Sequence, residues 1–314
     1  MAQPIQEIYV SPGPHVSTKR NTTMVMLCVI IALLPLAVYG VILFGIPALV
    51  TILVSVATAV LAEWVFQIAT KQKVRIKDLS AVVTGLMLAL VLPPTLPVWM
   101  TVLGAIFAIV VAKGFFGGIG ANVFNPALTG RAFLFTSFPA AMGTWIRPFD
   151  GLSGATILSQ TTVSINSNVY WDLFFGNRAG CIGETSILLI LIAFVFLLVT
   201  RIIDWRAPVA MIATLALCTV LSGGYPLMAI YTGGVMFGAV FMTTDYATAP
   251  VTKAGRLIFG VGCGLITFLI REFGAYPEGV MFSILIMNIL TPFLNKIIPV
   301  KYGYKLKGKG AKVQ

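Results

Sequence analysis

"TMVMLCVIIALLPLAVYGVILF", Thr23 to Phe44, runs for 22 residues without a single charged side chain. An α-helix needs about 20 predominantly apolar residues to cross the hydrocarbon core of a bilayer. Similar runs recur along the 314-residue chain, which is 58% hydrophobic and only 10% charged. These runs predict an all-α polytopic membrane protein rather than a soluble domain.

The hydropathy pattern predicts ten membrane spans, several of them short. They cover Thr23–Phe44, Ile46–Ile68, Leu79–Leu92, Pro97–Ala112, Phe124–Ala141, Ser186–Thr200, Pro208–Leu221, Leu227–Met242, Leu257–Ile270 and Val280–Ile298. The interruptions "VLPPTLP" from Val91 and "GGIGANVFNP" from Gly117 predict broken helices, whose irregular backbone has to line a cavity. A loose internal similarity further predicts two five-helix inverted repeats, with a site near the midplane between them.

The Lys and Arg residues predict that both termini face the cytoplasm. In that orientation eighteen of the 21 basic residues, including Lys113 and Arg131, fall inside or at the inner rim, in agreement with the positive-inside rule. The predicted organisation is a cytoplasmic arm (1–22), a first membrane half (23–142), an extracytoplasmic loop (143–185), a second membrane half (186–298) and a basic cytoplasmic tail (299–314).

Composition also limits the function. The net charge of +11 comes from basic residues in short loops and a tail, which is typical of a protein that faces lipid and argues against nucleic acid as a partner. The four cysteines form no C-x-x-C pair, so we expect no iron–sulfur or zinc site from this chain alone. The chain also has no dinucleotide-binding motif, so it cannot take hydride from a nicotinamide cofactor by itself.

The longest polar interval contains "DGLSGATILSQ", Asp150 to Gln160. Its Thr156 offers a hydroxyl flanked by three small residues, Ser153, Gly154 and Ala155, so a bulky reagent could approach and esterify it. The alternative is structural, because Ser and Thr commonly cap helical turns.

The chain resembles the family that contains the D subunit of the Rnf ferredoxin:NAD oxidoreductase complex and the B subunit of the sodium-pumping NADH:quinone oxidoreductase. The resemblance spans nearly the whole chain. It is carried by "GGIGANVFNPALTGRAFL" from Gly117, "DGLSGAT" from Asp150, "GGVMFGAVFMTTDYATAP" from Gly233, and ten spans with cytoplasmic ends. The length favours the Rnf subunit, because the other subunit usually has a longer N-terminal extension.

The resemblance implies a cofactor and a function. It implies FMN attached to Thr156 through a phosphoester made by a separate flavin transferase, with Arg147 and Asp150 as candidates to tune the field around the flavin; the alternative for each is a solvated loop charge. It also implies one-electron relay coupled to Na⁺ or H⁺ translocation in the bacterial cytoplasmic membrane. The implied partners are the A, B, C, E and G subunits, of which G carries its own covalent FMN.

Three further residues are candidates within or near the spans. Asn125 precedes Pro126 and so predicts a helix N-cap; a helix that begins inside the membrane would also suit an electron-rich ligand, and the family resemblance suggests non-covalent riboflavin there. Asp245 could be an oxygen ligand for Na⁺ or a cap. Glu63 could take part in the ion path, pair with a loop cation, or extend to the interface.

A competing hypothesis is a redox-free channel or transporter for a small neutral solute such as urea. That function would use the repeat and the broken helices but would need no modified loop. The S-G-A-T motif at Ser153–Thr156 therefore discriminates between the two hypotheses.

Overall fold

The computed structural model describes residues 21–146, 148, 167–274 and 278–297. Most of these residues are helical. The flavin motif lies outside the described residues, and so do six of the predicted site residues: Arg147, Asp150, Ser153, Gly154, Ala155 and Thr156.

The helices are numbered here in chain order. Residues 22–142 contain α1 (Thr22–Phe44), α2 (Ile46–Ala69), α3 (Ser80–Leu90), α4 (Val98–Ile106, continued by the π-helical Phe107–Gly114), α5 (Pro126–Ser137) and α6 (Pro139–Met142). There follow α7 (Ser167–Phe175), α8 (Ile187–Val199), α9 (Arg206–Leu221), α10 (Pro226–Tyr231), α11 (Val235–Phe237, continued by the π-helical Gly238–Met242), α12 (Lys253–Phe273) and α13 (Val280–Leu294).

Three helices in the described residues, α1, α2 and α12, are long and apolar enough to cross a bilayer, and five shorter apolar segments accompany them. Local signals set several boundaries. The Asn21 side chain caps α1 by accepting a hydrogen bond from the Met24 amide, and Gly45, at φ +71°, separates α1 from α2. Such a positive φ is readily available to glycine.

The two short helices α3 and α11 lie at the centre of the bundle. Nine of the eleven residues of α3 and all eight residues of Val235–Met242 are buried. The long helices lie outside them and expose large apolar side chains such as Val38, Leu53 and Leu265. These exposed apolar side chains suit a protein whose outer surface contacts lipid.

The end of helix α3 is stabilised by a segment that is distant in the sequence. The amide of Gly183 donates to the Leu90 carbonyl at 2.7 Å, and the amide of Ile182 donates to the Leu92 carbonyl at 3.2 Å. Carbonyls at a helix end inside the membrane need such partners, since hydrocarbon offers none. Gly183 is required there, because a Cβ on it would come within 2.6 Å of the Leu90 side chain.

Arginine side chains stabilise the break before α11. Arg178 donates to the carbonyls of Tyr231 and Glu184. Arg271 donates to the carbonyls of Ala229 at 2.6 Å and Thr232 at 3.0 Å. Guanidinium groups thus supply the hydrogen bonds that the interrupted backbone before α11 lacks.

The sequence-based spans agree with helices at most positions, with three differences. The fifth span divides at Phe138 into α5 and α6, because Pro139 begins a new helix. The eighth span divides into α10 and α11 around the Thr232–Gly234 break. Helix α7 was missed, and the end of the predicted outer loop, Cys181–Thr185, is buried among the helices rather than solvated.

Gly264 permits the close approach of α12 and α9. It lies four residues after Gly260, a spacing typical of close helix packing in membranes. A Cβ on Gly264 would stand 2.5 Å from the Met211 carbonyl oxygen. We therefore expect Gly264→Leu to separate these helices.

We expect Gly264→Leu to lower the free energy of unfolding by about 1–3 kcal/mol, the usual cost of overpacking. The measurement is thermal unfolding of the purified chain in detergent. Val261→Leu is the matched control, because Val261 lies on the same helix and is 45% exposed. Equal melting temperatures for the two variants would contradict this account of the α9–α12 contact.

Candidate functional site

Two groups of buried and partly buried polar or charged residues lie at opposite ends of α3. The first, which we call the Lys113 cluster, consists of Glu63, Gln67, Ser80 and Lys113. The second, the Arg131 cluster, consists of Arg131, Arg178, Glu184, Arg271 and Glu278. Ionisable groups buried in a membrane bundle are costly and are functional candidates by default.

The Lys113 cluster joins α2, α3 and the end of α4. The Lys113 ammonium lies 2.9 Å from the Glu63 carboxylate and donates to the Ser80 hydroxyl at 2.6 Å. The Gln67 amide donates to Glu63 Oε1 at 3.2 Å. Glu63 therefore pairs with a cation, one of the alternatives left open by the sequence, and it does not extend to the interface because it is buried.

A cavity of about 120 Å³ opens beside Lys113. Its polar lining includes Ser80, Lys113, Asn122, Asn125 and Asp245. The Oδ1 atom of Asn122 is buried and has no hydrogen-bond partner within the described residues. We call this space the Asn125 cavity; it brings together two residues, Asn125 and Asp245, that the sequence nominated separately.

Asn125 is the N-cap that the Asn-Pro pair predicted. Its Oδ1 accepts hydrogen bonds from the amides of Ala127 at 3.1 Å and Leu128 at 3.3 Å, and Pro126 begins α5. Because α5 starts at the wall of the cavity, the positive end of its dipole points towards any ligand there.

Asp245 follows the π-helical end of α11. Its Oδ2 accepts a hydrogen bond from the Thr248 hydroxyl at 2.9 Å. This contact joins two side chains, and the next helix, α12, begins only at Lys253 with Thr252 as its cap, so the contact does not establish the helix-capping alternative. Asp245 lines the Asn125 cavity and a second cavity on the other side, and it therefore stays a candidate cation ligand.

The Arg131 cluster connects the two membrane halves. Arg131, on α5, donates to Glu184 Oε1 at 3.0 Å and to a carboxylate oxygen of Glu278, just before α13. Arg131 and Glu184 are 4% and 5% exposed, so this ion pair is shielded from water. The guanidinium groups of Arg178 and Arg271 belong to the same cluster and donate hydrogen bonds to carbonyls of the break before α11.

The placement of Arg131 at the inner rim was wrong. The structure buries it against Glu184, a residue assigned to the opposite membrane face, because α5 carries it from the Asn125 cavity into the Arg131 cluster. Arg131 lies inside the predicted fifth span, and a charge within a span was the signal that could have identified it. Arg178, Glu184 and Glu278 were also missed as site residues.

The geometry of the Arg131 cluster favours ion pairing over metal binding. Ligand atoms of Cys181, Glu184 and Glu278 lie within 4.8 Å of one another, a spacing that a metal ion could bridge. Arg131, however, already donates to both carboxylates. A metal ion would have to displace this guanidinium and then share the space with its charge.

Helix α3 connects the two clusters. Helix α3 runs from Ser80, in the Lys113 cluster, to Leu90, whose carbonyl the Glu184 segment holds. Its eleven residues correspond to a length of about 16 Å at 1.5 Å per residue. Helix α11 also runs between the clusters, since Gly234 contacts Glu184 at one end and Asp245 lies beyond the other.

Comparison with known proteins places nearly the whole chain in one group. The model of the NQR2, RnfD, RnfE family matches residues 9–303. The D subunit of the Na⁺-translocating ferredoxin:NAD⁺ oxidoreductase complex of Acetobacterium woodii is 44% identical, over 96% of this chain and 98% of that protein. The D subunit of the proton-translocating complex of Clostridium ljungdahlii is 39% identical, over 94% and 96%.

A third relative has a less specific name. The D subunit of the ion-translocating oxidoreductase complex of Stutzerimonas stutzeri is 37% identical, over 93% of this chain and 95% of that protein. The relatives and this chain therefore share almost their full length. By this similarity and by the family match, the chain belongs to the NQR2, RnfD, RnfE family.

Proposed function

We propose that the chain is the flavin-carrying membrane subunit of an ion-translocating ferredoxin:NAD⁺ oxidoreductase complex. The observation that carries the proposal is full-length similarity to relatives named as the D subunit of such complexes. The S-G-A-T motif at Ser153–Thr156 adds the chemical detail. The redox-free channel is the weaker hypothesis, since the relatives described above are oxidoreductase subunits.

Thr156 is the proposed attachment point for FMN. A phosphoester from its hydroxyl would leave the isoalloxazine ring free, and the ring would supply one-electron chemistry. Ser153, Gly154 and Ala155 would give the flavin transferase access to the hydroxyl. Arg147 and Asp150 would set the charge around the ring. This part of the proposal rests on the motif and the family.

The proposed architecture is two five-helix inverted repeats with cytoplasmic termini. Corresponding contacts in the two halves support it: α2 packs against α3 and α4, while α9 packs against the π-helical end of α11 and α12. Likewise α1 contacts α3 as α8 contacts α11, and α4 contacts α5 as α12 contacts α13. In this plan α3 and α11 are the broken helices on either side of the central site.

The Asn125 cavity is the proposed position of the coupling ion. A volume of about 120 Å³ holds about four water molecules at about 30 Å³ each, so it accommodates a small, partly hydrated cation. Asp245 would supply a carboxylate oxygen. Glu63 would contribute only after Lys113 moved away, because Lys113 now contacts both of its oxygens.

Riboflavin would use the open side of the same cavity. The enclosed volume is too small for a three-ring system, so only the polar edge of the ring would enter. The unpartnered Asn122 Oδ1, the Lys113 ammonium and the N-terminus of α5 are groups that fit such an edge. Bound there, the flavin would supply a further one-electron carrier.

The chain cannot complete the reaction alone, so it would act within a multi-subunit complex. The proposed partners are the A, B, C, E and G subunits, with G, which carries its own covalent FMN, as the neighbour of greatest interest. Moving one elementary charge against 100 mV requires about 2.3 kcal/mol. Electron transfer has to change the affinity or accessibility of the ion site by at least that amount.

The proposal is tested on the chain purified from a host that contains the flavin transferase. We expect a fluorescent band under ultraviolet light on a denaturing gel, and an intact mass larger than that of the polypeptide by FMN minus one water. Expression without the transferase is the control and should give the bare mass. A bare mass under both conditions would overturn the flavin assignment.

A further inference from the structure

A second cavity, of about 580 Å³, lies where α8 ends and α9 and α12 begin. Its charged and aromatic lining includes Arg201, Asp204, Trp205, Arg206, Tyr246 and Arg256. We call it the Arg201 pocket. It is distinct from the Asn125 cavity, although Asp245 and Tyr246 line both.

Asp204 holds two of the three guanidinium groups in place. Its Oδ2 accepts hydrogen bonds from Arg206 at 2.6 Å and Arg256 at 2.9 Å. Burial alone would raise the pKa of Asp204, but hydrogen bonds from the Arg206 amide and the two guanidinium groups outweigh it and hold the pKa below its usual value. Asp204 thus stays ionised at neutral pH and orients both side chains.

The pocket carries a positive charge that the chain itself does not balance. Three arginines face two carboxylates, Asp204 and Asp245, which leaves an excess of one even when both acids are ionised. Arg201 is the source of this excess. Within the residues that the structure describes, its guanidinium forms no hydrogen bond or ion pair.

The pocket is continuous with an apolar surface. Val251, which lines the pocket, is 75% exposed, and Val199, the residue after the lining residue Leu198, is 76% exposed. Trp205 and Tyr246 are also more than half exposed, and such aromatic side chains are typical of the headgroup level of a bilayer. The Arg206 guanidinium lies over the Trp205 ring, 5.4 Å from its centroid, and so links the aromatic and basic parts.

We propose that the Arg201 pocket binds the phosphate of one anionic phospholipid, whose acyl chain lies along the exposed surface beside Val199. Basic pockets between membrane helices recognise anionic headgroups in this way. A free phosphate ion would use only the basic groups, whereas a phospholipid satisfies the charge and covers the apolar surface with the same molecule. The proposal does not depend on the flavin assignment.

The test measures lipid binding to the delipidated full-length chain by native mass spectrometry. We expect dioleoylphosphatidylglycerol to be retained at one molecule per chain, with an affinity at least about fivefold higher than that of dioleoylphosphatidylcholine. That ratio corresponds to the ~1 kcal/mol that a basic residue contributes near an anionic surface. Arg201→Asn should reduce the affinity for phosphatidylglycerol by a similar factor.

Lys71→Asn is the matched control. Lys71 follows α2 at φ +54°, as Arg201 follows α8 at φ +54°, and both amides bond to the preceding helix. Asparagine tolerates this left-handed conformation, so both variants lose one positive charge without a change in backbone preference. Arg256→Gln is an independent variant and should weaken binding in the same direction.

Four results would overturn the proposal. The first is equal retention of phosphatidylglycerol and phosphatidylcholine, and the second is equal binding by the Arg201→Asn and Lys71→Asn variants. The third is displacement of the lipid by inorganic phosphate, which would indicate a site for soluble anions. Retention by the isolated chain but not by the assembled complex would assign the surface to a partner subunit and would equally contradict a lipid site.

Discussion

Thr156→Ala is expected to abolish covalent flavin completely, because alanine has no oxygen with which to form the phosphoester. The variant and the parent chain are produced together with the flavin transferase and compared by in-gel fluorescence and intact mass. The change removes only the hydroxyl and the methyl group of one side chain in a polar interval of the sequence. We therefore expect the variant to accumulate and to assemble with its partner subunits as the parent chain does.

Thr161→Ala and Thr162→Ala are the controls for Thr156→Ala. Both residues lie in the same polar interval but lack the Ser-Gly-Ala sequence before them, so both variants should keep the flavin. In the assembled complex, ferredoxin-dependent NAD⁺ reduction should fall to background for Thr156→Ala alone. Flavin retained by that variant would move the attachment to another residue and contradict the proposed role of Thr156.

Local sequence signals predicted the features that depend on neighbouring residues. The uncharged run at Thr23–Phe44 became α1, and the Asn125–Pro126 pair became the capped start of α5. Apolar run length and capping act over a few residues, so each can be read from the chain directly. The break at Pro93–Pro94 was also predicted, because Pro interrupts helices, whereas the break before Val235 falls inside the predicted eighth span and was missed.

Features that depend on distant residues could not be read in this way. Glu184 lies 53 residues from Arg131, and Glu278 lies 147 residues from it, so no local pattern reports either pair. The partner of Glu63, Lys113, is 50 residues away. The rule that counts basic residues by loop treats every Lys and Arg as solvated, and it therefore misplaced Arg131.

The position of Arg131 within its helix could have predicted that it has a buried partner. Arg131 lies six residues after the cap at Asn125, which is about 9 Å along a helix axis. A charge that deep in a membrane segment needs a counter-charge. The sequence could thus have predicted that Arg131 has buried acidic partners, although not which acids they are.

We expect Arg131→Met to lower the free energy of unfolding by about 3–5 kcal/mol, the usual cost of removing one partner from a buried ion pair. Methionine fills a similar length but donates no hydrogen bond, so Glu184 loses its guanidinium donor in a site that water does not reach. Arg178 and Arg271 do not replace it, because they donate to backbone carbonyls. The measurement is thermal and denaturant unfolding in detergent.

Arg206→Met is the matched control for Arg131→Met. Arg206 also pairs with a carboxylate, at 2.6 Å, but its side chain is 25% exposed and the Asp204 side chain 16%. A pair that water reaches contributes about 0–1 kcal/mol. Both variants replace an ion-paired arginine with methionine. The difference between their losses in unfolding free energy therefore measures the effect of burial. Equal losses would contradict the assignment of Arg131 as a shielded link between the membrane halves.

A double variant separates the lost ion pair from the lost packing. Glu184→Gln removes the charge that Arg131→Met leaves unpaired, so the combination should be more stable than the sum of the two single losses predicts, by about 0.5–3 kcal/mol. Glu278→Gln combined with Arg131→Met should recover less stability, since the Glu278 side chain is 20% exposed and that of Glu184 only 6%. If the double variant with Glu184→Gln shows purely additive losses, the two side chains do not stabilise each other. Arg131 would then act through its packing alone, and the link between α5 and the break before α11 would have to reside in the backbone contacts of Glu184.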